Sequence, residues 1–162
     1  MTGDKRIALK PIGTVKNGLT DVDPDSANSL ISEIIINGEH DEALEGIEQF
    51  SHLIIVFWMH KIPPAKRCLK KVHPRGRQDV PMRGVLATRT PYRPNPVGIK
   101  TVKLLERHGS TLKVMGLDAL DGTPVLDIKP YDPGYDGVPE ATVPNWMKKL
   151  RKPPKYASPD RK

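Results

Sequence analysis

The sequence predicts a mainly β protein: a small closed or nearly closed β-barrel with short helical insertions and a Pro-rich basic C-terminal tail. Three observations carry this. Apolar residues fall in short, often β-branched runs, 17 prolines and 13 glycines punctuate the 162 residues, and neither a fixed-period repeat nor a βαβ alternation is present. Proline removes an amide donor and blocks helix interiors, so such punctuation favours short strands and ordered turns over long helices. Several short strands separated by turns bury their apolar faces most economically by closing on themselves.

Residues 7–16 form a first extended segment, bent by Pro11 and Gly13, and a turn-rich stretch follows over 17–28. Residues 31–37, ISEIIIN, are β-branched and end at Gly38, and 41–50 supply one or two helical turns. SHLIIVFWMH, at 51–60, is the most apolar run and reads as a fully buried central strand over 53–58. A Pro-bearing basic loop then leads to a strand over 83–90 and a rigid turn over 91–96. Residues 97–107 and 111–117 pair as a hairpin around His108, Gly109 and Ser110. Residues 124–128 give another short strand, and 146–149 a helical turn. The expected organisation is one barrel domain over 1–150 and a flexible basic tail over 151–162.

Charge is segregated along the chain. The sequence carries 26 Lys+Arg against 19 Asp+Glu, a formal +7. Residues 1–60 hold ten acidic and four basic residues, 61–89 hold nine basic residues against Asp79 alone, and the last fifteen hold seven basic residues and one acid. Clustered cations of this kind give a polyanion an electrostatic footing through release of condensed counterions. No run reaches the roughly 18–20 apolar residues of a membrane span, and the start lacks a signal-peptide core, so no membrane role is expected. A single cysteine, Cys68, suits a reducing compartment and a cytoplasmic location. Neither a dinucleotide fingerprint nor a P-loop occurs. His52 and His60 stand too far apart to share a metal without help from another element, and no metal is expected.

The chemically dense region runs from Gly84 to Pro133. In TRTPYRPNPVG, residues 88–98, three prolines within six positions fix the backbone around Arg89, Arg93 and Asn95. Such a loop presents two guanidiniums and an amide to a carboxylate or phosphate at reduced ordering cost. LDALDGTPVLDIKPYDP, residues 117–133, contains a turn at Asp121-Gly122-Thr123-Pro124. In a strand, Asp127, Lys129 and Tyr131 share one face while Ile128 takes the other. That polar wall reads equally as a salt-bridged rim or as catalytic machinery.

These two motifs, preceded by KPIGTVKN and EQFSHLIIVFWMHK, resemble the TsaA-like domain family, which includes TrmO-type tRNA methyltransferases. The resemblance spans roughly residues 7–133 and implies a β-barrel homodimer that binds S-adenosylmethionine near the subunit interface. It further implies methylation of the exocyclic nitrogen of threonylcarbamoyl-adenosine in tRNA. Matched motif by motif, it places His60, Lys61, Arg89, Lys100 (through its backbone), Leu117, Asp118 and Ala119 at the cofactor. Many members carry an Arg-Gln-Pro segment between the first two strands, where this chain has NGLTDVDPDSANSL over 17–30.

Methyl transfer by in-line displacement chiefly requires alignment of nucleophile, methyl carbon and sulfur with water excluded. An amide-like acceptor nitrogen must also lose its proton, which calls for a base. Asp127 is the first candidate and Tyr131 the second, with Arg93 and Asn95 holding the acceptor's carboxylate or carbonyl and Lys129 orienting a neighbouring carboxylate. The alternatives are a noncatalytic RNA-binding barrel and a methyltransferase of a small molecule.

Overall fold

The computed structural model describes residues 7–21 and 27–150. In chain order its elements are strands β1 (Gly13–Lys16), β2 (Ile31–Ile36) and β3 (His52–Trp58), helix α1 (Pro64–Arg67), strands β4 (Lys71–Val72), β5 (Arg83–Gly84), β6 (Val97–His108), β7 (Thr111–Met115) and β8 (Pro124–Pro130), and helices α2 (Pro133–Asp136) and α3 (Asn145–Leu150). The described residues divide into two compact units, one within 7–61 and 97–136, the other within 62–96 and 137–150.

The first unit is a closed barrel, ordered β1-β2-β7-β6-β3-β8, and every pairing is antiparallel. Its interior comes from strict alternation. Along β2, Ser32, Ile34 and Ile36 point inward while Ile31, Glu33 and Ile35 face outward, as a period of two demands. Leu53, Ile55 and Phe57 of β3, Val102 and Leu104 of β6, Leu112 and Val114 of β7 and Val15 of β1 complete the core. Each such side chain contributes about 1.5–3 kcal/mol on full burial. Ile12 N–H donates to the Val125 carbonyl at 2.8 Å and Val15 N–H to that of Thr123 at 2.9 Å, which seals the short β1–β8 seam.

The strand over 53–58 differs from the fully buried one expected. Leu53, Ile55 and Phe57 are buried, but Ile54, Val56 and Trp58 lie on the outer wall and are only half-buried. An apolar run thus arises from a one-sided core plus an apolar exterior. A second irregularity lies in β8, where Val56 pairs with Asp127 but Phe57 pairs with Val125. Leu126 is the extra residue of a bulge, and it lets both Val125 and Ile128 reach the core side despite their odd spacing. Beyond the bulge the alternation resumes, so Asp127 and Lys129 share the outer wall.

In the second unit, β4 and β5 form a two-residue ribbon, and Val80, Val85 and Thr88 are buried along with Pro74. The strand expected over 83–90 is a correction: only Arg83–Gly84 is extended, and Val85–Ala87 is a 3-10 turn. The Thr88 hydroxyl donates to the Val85 carbonyl at 2.9 Å, and Thr88 N–H donates to the same oxygen. This local bonding outcompetes a strand ladder. Helix α3 matches the helical turn expected near 146–149, and its last carbonyls, Lys149 and Leu150, accept from Arg77 Nη1 at 3.3 Å and Arg75 Nη1 at 3.4 Å. Asp23 and Asp25, like the tail over 151–162, lie outside the described residues. Among the described residues no helix is long and apolar enough to cross a membrane.

Candidate active site

Strand direction assembles the site. Because all pairings are antiparallel, the C-terminal ends of β1, β3 and β7 and the N-terminal ends of β2, β6 and β8 meet at one mouth of the barrel. The segments leaving that mouth carry His60 and Lys61 after β3 and Leu117, Asp118 and Ala119 after β7, while Lys100 lies near the start of β6. Six of the seven cofactor residues expected from sequence are therefore brought together.

At the mouth, Leu117 and Ala119 are buried, at 0% and 3% exposure, whereas the Asp118 carboxylate stays 42% exposed. Lys100 pairs inward with Ile55 and carries its ammonium 3.8 Å from Asp118 Oδ2 and 3.5 Å from Asn28 Oδ1. Its side chain, and not only its backbone, therefore faces the mouth. The segment over 117–123 is strapped down by a two-way exchange. Asp121 Oδ1 accepts from the amides of Asn17 at 2.8 Å and Gly18 at 2.9 Å, and Asn17 Nδ2 donates to the Ala119 carbonyl and to Ser32 Oγ, both at 2.9 Å. The Gly18 and Asn17 amides, assisted by Lys61 and Lys16, hold the Asp121 carboxyl below its ordinary range. Gly122 adopts φ +73° in this turn, a conformation that favours glycine.

Thr123 Oγ1 lies 3.5 Å from His60 Nδ1. Burial, and secondarily the charge of Lys61, lowers the His60 pKa below its ordinary 6.5. The shift favours the neutral imidazole, which can hydrogen-bond without adding charge. An NMR titration should place the His60 midpoint below 6.5, and one at or above that value contradicts the burial. Because the unfolded chain binds this proton more readily, His60 leaves stability unchanged above pH 6.5. It subtracts stability progressively as pH falls from 6.5 to the folded midpoint.

The base candidates lie elsewhere. Asp127, opposite Val56, sits on the outer wall with Oδ2 2.7 Å from Lys129 Nζ. Tyr131 donates its backbone N–H to the His52 carbonyl at 3.0 Å, at the opposite end of the barrel from the mouth. Arg89, Arg93 and Asn95 belong to the second unit. There the proline loop is braced from within: Arg93 Nη1 donates to the carbonyls of Thr88 at 3.2 Å and Thr90 at 3.3 Å, and Arg93 N–H donates to that of Pro91 at 3.0 Å. An open groove of about 320 Å³ on the barrel, between Lys16, Glu33 and Lys113, contains none of the expected site residues. It lies by the mouth ends of β1 and β2, where Lys16, Glu33 and Lys113 form a cross-strand row of alternating charge. Among the described residues no three His, Cys, Asp or Glu side chains group as metal ligands.

Sequence reasoning missed Asn17 and Asn28 and saw in Asp121 only a turn former. Asn-Gly at 17–18 signals a turn, but its partner Ala119 is 102 residues away.

One mouth of the closed antiparallel barrel thus carries the exposed Asp118 carboxylate beside the Lys100 ammonium, above the buried Leu117 and Ala119. The chain belongs to the family described as tRNA-methyltransferase O N-terminal domain, whose profile matches residues 17–137. It is similar to a probable S-adenosyl-L-methionine-binding protein of Methanothermobacter thermautotrophicus, 43% identical over 83% of this chain and 97% of that one. It is also similar to the tRNA (adenine(37)-N6)-methyltransferase of Mus musculus, 42% identical over 73% of this chain. Among solved structures, TrmO from Pseudomonas aeruginosa superposes with a TM-score of 0.67 at 32% identity over 85% of this chain. The chain spans 26% of the mouse enzyme and 62% of that bacterial structure.

Proposed function

We propose that the chain is an S-adenosylmethionine-dependent methyltransferase that acts, as a homodimer, on the exocyclic nitrogen of threonylcarbamoyl-adenosine in tRNA. The observation that carries this reading is the convergence of His60, Lys61, Lys100, Leu117, Asp118 and Ala119 on one barrel mouth. The donor set fits the cofactor. Asp118 can accept from a ribose diol or an ammonium group and Lys100 can meet a carboxylate, while Leu117 and Ala119, whose side chains are buried in the core, can meet an adenine only through their backbone. Neutral His60 adds no positive charge beside a sulfonium. Bound, the cofactor supplies a methyl group already activated by its positive sulfur.

The chain's remaining tasks are to hold the acceptor and remove its proton. Asp127 is the proposed base and Tyr131 the second candidate, with Lys129 orienting a carboxylate; since neither reaches the mouth of its own barrel, either acts on an acceptor held at the mouth of the partner copy in the homodimer. On the second unit, the braced proline loop supplies Arg93 and Asn95 for the acceptor's carboxylate or carbonyl and Arg89 for the cofactor. Supporting the homodimer are Ile54, Val56 and the 51% exposed Ile99, which lie together on the outer wall of β3 and β6.

Calorimetry with S-adenosylmethionine, followed by mass analysis of nucleosides from tRNA with and without the threonylcarbamoyl group, tests the reading. A gain of one methyl on the modified adenosine is expected; cofactor binding with no methylated nucleoside refutes the tRNA substrate, and no cofactor binding refutes the enzyme. Asp127→Asn should lower the methylation rate at least about tenfold with cofactor affinity unchanged, since the carboxylate lies outside the mouth. Unaltered turnover removes the base assignment.

A further inference from the structure

The two units differ sharply in charge. Among the described residues the barrel unit carries thirteen acidic and eight basic residues, whereas the second unit carries eleven basic residues and only Asp79 and Glu140 as acids. Asp79 is already taken, with Arg77 Nη2 2.5 Å from its Oδ2. Lys70, Lys71 and Lys148 meet no carboxylate among the described residues, and all three are exposed. Dispersed lysines kept for solubility would be interleaved with acids, as they are on the barrel, where Lys113 meets Glu106 and Lys129 meets Asp127.

These cations stand on one connected support. Lys71 and Val72 of β4 pair with Gly84 and Arg83 of β5. The Arg83 guanidinium lies 5.8 Å from the centre of the Trp146 ring on α3. Helix α3 carries Lys148 and Lys149 and is held at its C-terminal carbonyls by Arg75 and Arg77. A short helix that would fray in isolation is thus fixed to a ribbon by guanidinium caps and one cation–aromatic stack. A second such stack, Lys66 Nζ 4.9 Å from the Tyr92 ring centre, lies in the same unit.

We propose that the ribbon of β4 and β5 together with α3 is the docking surface for RNA, specifically for a segment with unpaired bases. Cations without acid partners neutralise phosphates, while half-buried Trp146, paired with Arg83, offers a face on which a splayed base stacks. A double helix would use the charge but not the ring. The choice of RNA among polyanions rests on the tRNA reading above; the location of the surface does not.

The test is fluorescence anisotropy of the full chain with an anticodon stem-loop RNA, a fully paired RNA of equal length and vesicles of anionic lipid, each across a salt series. Lys71→Glu combined with Lys148→Glu should weaken stem-loop binding at least about tenfold. It should also flatten the salt dependence by a log–log slope of about 1.5, at roughly 0.7–0.9 for each phosphate no longer neutralised. Lys103→Glu on the barrel should change binding less than twofold, and thermal melting verifies that the variants fold. Wild-type binding that the double substitution leaves within twofold overturns the surface while sparing the tRNA reading. Equal affinity for the paired RNA overturns the role of unpaired bases. Absence of wild-type RNA binding removes both, and tight binding to vesicles alone reassigns the patch to a lipid headgroup surface.

Discussion

Asp118→Ala is expected to weaken S-adenosylmethionine binding by about 10- to 100-fold, read by calorimetry. A hydrogen bond to a charged group contributes about 1.5–3 kcal/mol, and each 1.4 kcal/mol is tenfold in affinity. The effect should be confined to binding. The carboxylate is 42% exposed and its ionic partner Lys100 is 3.8 Å away, so its contribution to folding is small and the melting temperature should hold. Affinity within twofold of the parent would falsify the placement of the cofactor against this carboxylate.

A large loss of folding stability is expected of Gly98→Ala. Gly98 sits opposite Phe57 in the β3–β6 register, and a Cβ built there would overlap the Phe57 ring. The ring is 4% exposed and part of the core, so it has little room to retreat. Overpacking of this kind costs about 1–3 kcal/mol, and a chain of this size loses about 2–4 °C of melting temperature per kcal/mol. Phe57→Leu should relieve the clash, making the double variant more stable than the sum of the two single losses by about 1 kcal/mol. Strict additivity in thermal melts would show that the two positions do not compete for the same space.

Much of the barrel was legible because alternation is a local signal. ISEIII over β2 and TLKVM over β7 each place every second residue in the core, and the Gly109-Ser110 turn joins β6 to β7 as the composition demands. The bulge at Leu126 was not legible, since it shows only in the register of β8 against β3. Nor was the turn over Val85–Ala87: VLATRT has strand composition, and the competing Thr88 hydroxyl bond is visible only once the chain is folded. At the site, family motifs pointed to Lys100, Asp118 and their neighbours. The strap from Asn17 to Ala119 was invisible because closure of the barrel, not sequence proximity, brings the two together.

The larger part of the second unit, residues 62–96, enters the chain between β3 and β6, two strands that are immediate neighbours, with Trp58 directly opposite Val97. Topologically, 38 residues replace what could be an ordinary hairpin turn. Closing a longer connection costs only logarithmically more entropy, about 0.6 kcal/mol for each doubling of length, and the entry and exit points are already held across one ladder rung. The barrel therefore tolerates wide variation in the length of this excursion, while the residues that hold α3, Arg75, Arg77 and Arg83, tie any such change to the C-terminal segment.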